Sequence, residues 1–190
     1  MNTNQRRTVL GLALLAAGAL AAYAYYLSLV PASHPDHDHG ILNLDAGGRL
    51  MVETRSGKPR NLVGRPGHVL VVHFFSTSVP EAADELRGLF RFQQSGGADS
   101  RVEFVLIAEN RDFPTVDTWL AKNGLQPPTP GEIVLDADGD TTRKLNSKRP
   151  IETMFFNADG KLSSQARGRL DWLATASGHL SQALGGATIE

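Results

Sequence analysis

The chain has 190 residues, 41% of them hydrophobic, enough for one globular domain of about 140 residues with appendages. Its 19 basic and 20 acidic side chains leave a formal net charge of -1, so nothing in the composition argues for a nucleic-acid surface. Cysteine is absent, which excludes disulfide staples, thiol catalysis and cysteine metal sites.

Residues 1–7 form a short polar tail ending in Arg6-Arg7. From Thr8 to Val30 every residue is apolar or uncharged. A helix of about 23 residues rises roughly 34 Å at ~1.5 Å each, enough to cross a bilayer core. The arginines before it, and Asp36 and Asp38 after it, predict a cytoplasmic N-terminus and an exported body. Tyr23, Tyr25 and Tyr26 suit the outer interface. Two other readings stay open. Ala22-Tyr23-Ala24 fits the cleavage site of a removed signal peptide, and Arg6-Arg7-Thr8-Val9-Leu10 loosely fits a twin-arginine signal. The apolar run continues to Val30, which favours an uncleaved anchor. In all three readings the residues after Pro31 lie outside the cytoplasm, and membrane lipid is the partner of residues 8–30.

Residues 31–47 read as a linker. It carries His34, His37 and His39 interleaved with Asp36 and Asp38, donors that suit Cu(II), Zn or Ni. The plain alternative is a solvated stalk, and any metal site here would be weak or completed by a partner surface. No other cofactor is expected.

Ile41 to Leu62 reads as a hairpin about Ser56-Gly57, and Gly64 to Gly67 as a loop. His68 to Phe75 is a Val- and Phe-rich run fit for a buried strand. Ser78-Val79-Pro80-Glu81 has the pattern of a capping box, opening a helix near Val79 with Ala82, Leu86, Leu89 and Phe90 on one face. Ser95 to Asp99 breaks that pattern. Val102 to Ala108 alternates too weakly for a one-sided strand and is expected to be buried on both faces. Asp112 to Gly124 is a helix with Val116, Trp119 and Leu120 at helical spacing and Gly124 as its stop.

After the loop Pro127 to Pro130, Glu132 to Asp136 reads as a short strand, and a brief helix ends at Leu145. Thr153 to Phe156 and Lys161 to Ala166 form a second hairpin. Leu170 to Leu184 reads as a closing amphipathic helix starting near Asp171, with Leu173, Leu180 and Leu184 on one stripe. This order predicts an α/β domain, a central mixed β-sheet flanked by helices, with His68 to Phe75 as its middle strand.

Phe74-Phe75-Ser76-Thr77-Ser78-Val79-Pro80-Glu81-Ala82 resembles a signature of the thioredoxin-like superfamily, Phe-Trp-Ala-Thr-Trp-Cys-Pro-Pro-Cys, as found in its membrane-anchored TlpA/ResA branch of redoxin (AhpC-TSA) type. Glu132 to Gly139, Thr153 to Lys161 and Gly168-Arg169-Leu170-Asp171-Trp172 resemble three further stretches of that family in the same order. The resemblance covers roughly Gly48 to Leu184, so residues 48–186 form the domain and 187–190 a tail. It implies the thioredoxin-like fold with an N-terminal hairpin.

It also puts Val79 and Ala82 where the family's two cysteines stand, and Ile151 where its cis-proline stands, with Pro150 one residue early. Thiol–disulfide exchange needs a thiolate and a resolving sulfur, which valine and alanine cannot supply. A cis bond before a non-proline residue costs about 2.5–4 kcal/mol, so a trans Pro150–Ile151 bond is expected.

Ser76, Thr77, Ser78 and Glu81 would gather hydroxyls and a carboxylate at a helix N-terminus, able to hold an anion. The capping box already accounts for Ser78 and Glu81, and no histidine base is assured nearby, so no catalytic residue is assigned. His68 and His73 belong to the central strand, His179 to the last helix, and Trp119 and Trp172 read as core or rim aromatics.

The expected function is therefore that of a redox-inactive, cysteine-less domain at the outer face of a bacterial cytoplasmic membrane. It would bind a partner in envelope protein or cofactor maturation through Ser76, Thr77, Ser78, Val79, Pro80, Glu81, Pro150 and Ile151. The alternatives are a thiol–disulfide oxidoreductase of the resembled family, or a copper-handling protein using His34 to His39.

Overall fold

The computed structural model describes residues 50–95, 100–128 and 132–185, all within one compact unit. The expected span Thr8 to Val30, the His34, His37 and His39 tract and the 187–190 tail lie outside the described residues. Among the described residues no helix is long and apolar enough to cross a membrane.

In chain order the strands are β1 (Met51–Glu53), β2 (Pro59–Asn61), β3 (Val69–Phe75), β4 (Val102–Ala108), β5 (Glu132–Leu135), β6 (Glu152–Phe156) and β7 (Leu162–Arg167). The helices are α1 (Ala82–Gln94) between β3 and β4, α2 (Phe113–Lys122) between β4 and β5, α3 (Asp140–Lys144) between β5 and β6, and α4 (Ala176–Ala183) after β7. One sheet runs β2-β1-β5-β4-β3-β6-β7. β3 lies parallel to β4 and antiparallel to β6, and β4 lies parallel to β5, so the sheet is mixed as expected. β3 is interior, one place from the geometric middle, which β4 holds.

All seven residues of β3 are buried, which is why its sequence shows no alternation. Val69, Val71 and Phe75 pack in the layer with Leu86, Leu89 and Val116. Leu70, Val72 and Phe74 pack in the other, with Leu50, Leu62 and Leu145. Each layer removes large aliphatic and aromatic side chains from water, at roughly 1.5–3 kcal/mol per side chain.

Two boundaries differ from the sequence reading. α1 begins at Ala82, not near Val79, although Ala82, Leu86, Leu89 and Phe90 are buried along its face as expected. α4 begins at Ala176, because Leu170 to Thr175 is occupied otherwise. Asp171 Oδ1 accepts from the N–H groups of Leu173 and Ala174, and Asp171 O accepts from Thr175 Oγ1, so this stretch closes on itself as turns. Leu173, expected on the apolar stripe, is 68% exposed, while Trp172 takes the core position beside it.

Candidate binding site

β3, β4 and β5 run parallel, so the segments that follow them gather at one end of the sheet, where β6 also begins and β7 ends. The chain leaves β3 at Phe75 and turns through Ser76 to Glu81 before entering α1. Val79 N donates to Ser76 O (3.1 Å) and Ala82 N to Val79 O (3.2 Å). Ser76 Oγ lies 2.9 Å from Ser78 Oγ and accepts from Ser78 N at 3.4 Å. The capping box expected of Ser78 and Glu81 therefore does not form. Glu81 is itself the N-cap residue, in helical backbone geometry and with no side-chain cap, and the Ser78 hydroxyl is engaged with Ser76.

Asn110, just beyond β4, holds this turn from the side. Its Oδ1 accepts from Thr77 N (3.3 Å) and its Nδ2 donates to Thr77 Oγ1 (2.7 Å). No local pattern signals this clip, because an asparagine 33 residues away has no periodic relation to Thr77. Ser78, Pro80 and Glu81 are exposed, Thr77 and Val79 half-buried, and Ala82 fully buried.

On the other side of β3, the register pairs Phe74 with Glu152, which carries Ile151 to the level of Phe75. Ile151 is buried and Pro150 exposed. Ile151 O accepts from Gly168 N at 2.8 Å. The Glu152 carboxylate is fully buried yet satisfied. It accepts from Ser147 Oγ (2.6 Å), Lys148 N (2.8 Å), Arg167 Nε (3.2 Å) and Gln165 Nε2. These bonds fix the 147–151 loop against β7. The structure thus brings Ser76 to Glu81 and Pro150-Ile151 to one end of the sheet, as the sequence reading grouped them.

Beside the turn, on the β4–β5 side, Asp136 is buried and accepts from the N–H groups of Thr141 (3.0 Å) and Thr142 (2.8 Å), and from Thr142 Oγ1 (2.6 Å). Half-buried Glu109 accepts from Thr142 Oγ1 at 3.2 Å. Burial first, and then the nearby Asp136 and Glu152, push the Glu109 carboxyl above the usual carboxylate range.

Among the described residues, the histidines do not supply a base at the turn. His73 is 1% exposed, its Nδ1 lies 2.9 Å from Thr153 Oγ1, and its ring stands edge-on to Trp172 at 5.9 Å. Burial depresses its pKa to about 3, so it is neutral at physiological pH. His68 Nδ1 lies 3.1 Å from Pro66 O. His179 stacks on Phe155 at 4.9 Å, with Nδ1 3.1 Å from Ser164 Oγ, and burial lowers its pKa. Among the described residues no group of three His, Asp or Glu is placed to hold a metal. Trp119 is a rim aromatic on Phe75, and Trp172 a core one.

Glu85 is a functional-looking group that the sequence reading missed. It is 2% exposed, and its carboxylate accepts from Trp172 Nε1 (2.7 Å) and from Leu170 N (3.1 Å). Burial raises its pKa against the pull of those hydrogen bonds. Its role is to hook the 170–172 segment onto α1.

No protein-family model matches the chain, and no curated protein matches it. Solved structures do. StoA from Bacillus subtilis superposes with a TM-score of 0.55 at 18% identity, over 67% of this chain and 92% of that one. The fold is thioredoxin-like. A secreted Mycobacterium tuberculosis disulfide oxidoreductase homologous to Escherichia coli DsbE gives 0.56 at 22% identity, over 69% and 93%. A thiol:disulfide interchange protein of the thioredoxin family from Chlorobium tepidum gives 0.55 at 22%, over 71% and 92%. At these identities the likeness establishes the fold. Val79, where the sequence resemblance would put the first cysteine, is half-buried in the turn, and Ala82, where it would put the second, is fully buried at the start of α1, in a chain without cysteine.

Proposed function

We propose that this protein acts by binding, through the sheet end that carries Ser76 to Glu81 and Pro150-Ile151, and has no thiol–disulfide activity of its own. The observation that carries this reading is a thioredoxin-like fold in a chain with no cysteine, and the sequence resemblance, which puts Val79 and Ala82 at the two sulfur positions, supports it. A two-electron exchange needs two sulfurs, and none is present. The contact surface comprises the exposed Ser78, Pro80, Glu81 and Pro150, with Thr77, Val79 and the Ser76 and Ile151 backbone behind them. Asn110 and Glu152 hold the two walls in place, which lowers the ordering cost of association.

The apolar stretch Thr8 to Val30 supports a single-pass anchor that places the domain outside the cytoplasm, in envelope protein or cofactor maturation. The test joins two measurements on membranes carrying the intact protein. Insulin reduction should stay at background. A photo-cross-linking residue at Val79 should capture a partner that the same residue at Lys58, on the β1–β2 turn, does not. Insulin turnover, or equal capture at both positions, would overturn the reading.

A further inference from the structure

The two edges of the sheet are guarded differently. β2 is three residues long and carries Pro59 beside the exposed Lys58, features that discourage a further strand. β7 is six residues long and has no proline, and its one charge, Arg167, is committed to the buried Glu152 carboxylate. The Gly168 N to Ile151 O bond (2.8 Å) and the β6–β7 register turn the backbone groups of Ser164 and Ala166 toward β6. Those of Gln165 and Arg167 therefore point off the sheet, and nothing among the described residues bonds them.

α4 lies over the β6–β7 pair, where His179 stacks on Phe155 and reaches Ser164 Oγ. Gln182 Nε2 donates to Ser163 O at 3.2 Å, which sets the stripe Thr175, Gly178 and Gln182 on the outer side of the helix, toward the β7 edge. Within one chain Gly178 has no evident purpose. It lies inside the helix, where glycine is less stable than alanine, and its φ is not positive. A Cβ at that position would meet no atom within 4 Å among the described residues.

We propose that β7 pairs antiparallel with β7 of a second copy of this chain, about a two-fold axis at Gln165, joining two sheets into one. Setting Gln165 against its counterpart puts Ser163 of one copy opposite Arg167 of the other, with outward backbone groups facing outward backbone groups. Paired strands lie about 4.8 Å apart, so the same axis brings the two α4 helices to roughly 10 Å, the spacing of packed helices. Gly178 then supplies the clearance for that approach. A lone extended segment would pair the edge and leave Gly178 without a neighbour, so one two-fold axis accounts for both features. The charges agree. α4 carries no acidic or basic side chain in its end turns, and Lys148 and Arg149 sit on the loop before β6, one strand back from the edge. The pairing sets exposed Arg169 and Asp171 at one end of β7 against exposed Asp159 and Lys161 at the other, one acid and one base on each side. This interface is independent of the surface from Ser76 to Glu81.

The lack of cysteine allows a direct test on the intact protein in zwitterionic micelles. A single Gln165→Cys should oxidise to a covalent dimer several-fold faster than a single Lys58→Cys, because facing Cα atoms of paired strands lie about 5.5 Å apart, within disulfide range. Adding Gly178→Lys should slow that cross-linking about tenfold, since the axis would face two lysines together. Its melting temperature should not fall, because the position is open within one chain. In the unsubstituted protein, the amides of Gln165 and Arg167 should exchange more slowly as the ratio of protein to micelle rises. Equal cross-linking at positions 58 and 165, or cross-linking that Gly178→Lys leaves unchanged, would overturn the proposal. So would protection of these amides that dilution does not alter, which would give the edge to a segment of the same chain.

Discussion

His73 gives the most quantitative test of how this core is built. It occupies the middle of β3, touches water with 1% of its surface and has an Nε2 with no partner among the described residues. Burial holds its pKa near 3, against an ordinary value of 6.5. The folded state therefore requires the neutral ring, whereas the unfolded chain takes up a proton below about pH 6.5. Stability from this group is complete above pH 6.5, is lost as pH falls, and stops falling below about pH 3. One proton corresponds to about 1.4 kcal/mol per pH unit, so the loss between pH 7 and pH 5 is about 2 kcal/mol.

Glu85 and Glu109 act in the opposite sense, because their raised pKa values favour the folded state as acid is added. A comparison cancels them. Urea unfolding at pH 7 and pH 5, followed by tryptophan fluorescence, should show His73→Gln losing about 2 kcal/mol less than the parent across that interval. Glutamine keeps a polar partner for Thr153 and cannot titrate there. Parallel pH profiles for the two proteins would mean that the buried ring accepts a proton without penalty, and the account of the His73 environment would be wrong.

Three further expectations follow from single contacts. Gly88→Ala should destabilise by about 1 kcal/mol despite the better helix propensity of alanine, because its Cβ would stand 3.2 Å from Trp172 Cδ1 and Glu85 keeps that indole from retreating; a rise in melting temperature would show that Trp172 can move. Arg55→Ala should cost about 1 kcal/mol or less and mainly raise amide exchange in Met51 to Asn61, since Arg55 pairs in bidentate fashion with the half-exposed Asp117 (2.7 and 2.8 Å) and lies 4.8 Å over the Phe113 ring; unchanged exchange there would refute its part in fastening the hairpin. Val79→Cys, Ala82→Cys should form a disulfide yet reduce insulin more slowly than the same protein with Ile151→Pro, and equal rates would show that Ile151 does not hinder access to the turn.

The fold was legible in the sequence because its signals are local. Six apolar residues around the single His73 specify β3, and Asp112 with Pro114 marks the start of α2, where Asp112 Oδ1 accepts from Thr115 N. Gly124, at φ +61°, ends that helix as expected. The start of α1 was misplaced because Ser78-Val79-Pro80-Glu81 satisfies the local pattern, while Ser76 Oγ engages both the hydroxyl and the N–H of Ser78 that the pattern would use. The start of α4 was misplaced because Asp171 makes turns that compete with the first helical bonds. Glu85 and Glu152 were read past for a similar reason. A carboxylate in a helix or at a strand end reads as solvated, and only the tertiary partners Trp172, Leu170, Ser147 and Arg167 reveal it as buried.

The same distinction explains how this scaffold can exist without sulfur. Its stability lies in two apolar layers on β3 and β4 and in buried carboxylates that fasten the connecting segments, none of which involves position 79. Position 82 needs only a small side chain on the buried face of α1, and alanine meets that need with the best helix propensity available. The exposed side chains of the turn after β3 are therefore among those that the fold constrains least. That turn is held from both sides, by Asn110 through Thr77 and by the loop that Glu152 fixes, so exposed residues such as Ser78, Pro80 and Glu81 can vary without moving the backbone. A surface that is rigid behind and variable in front suits recognition, and no step of recognition calls for a thiolate.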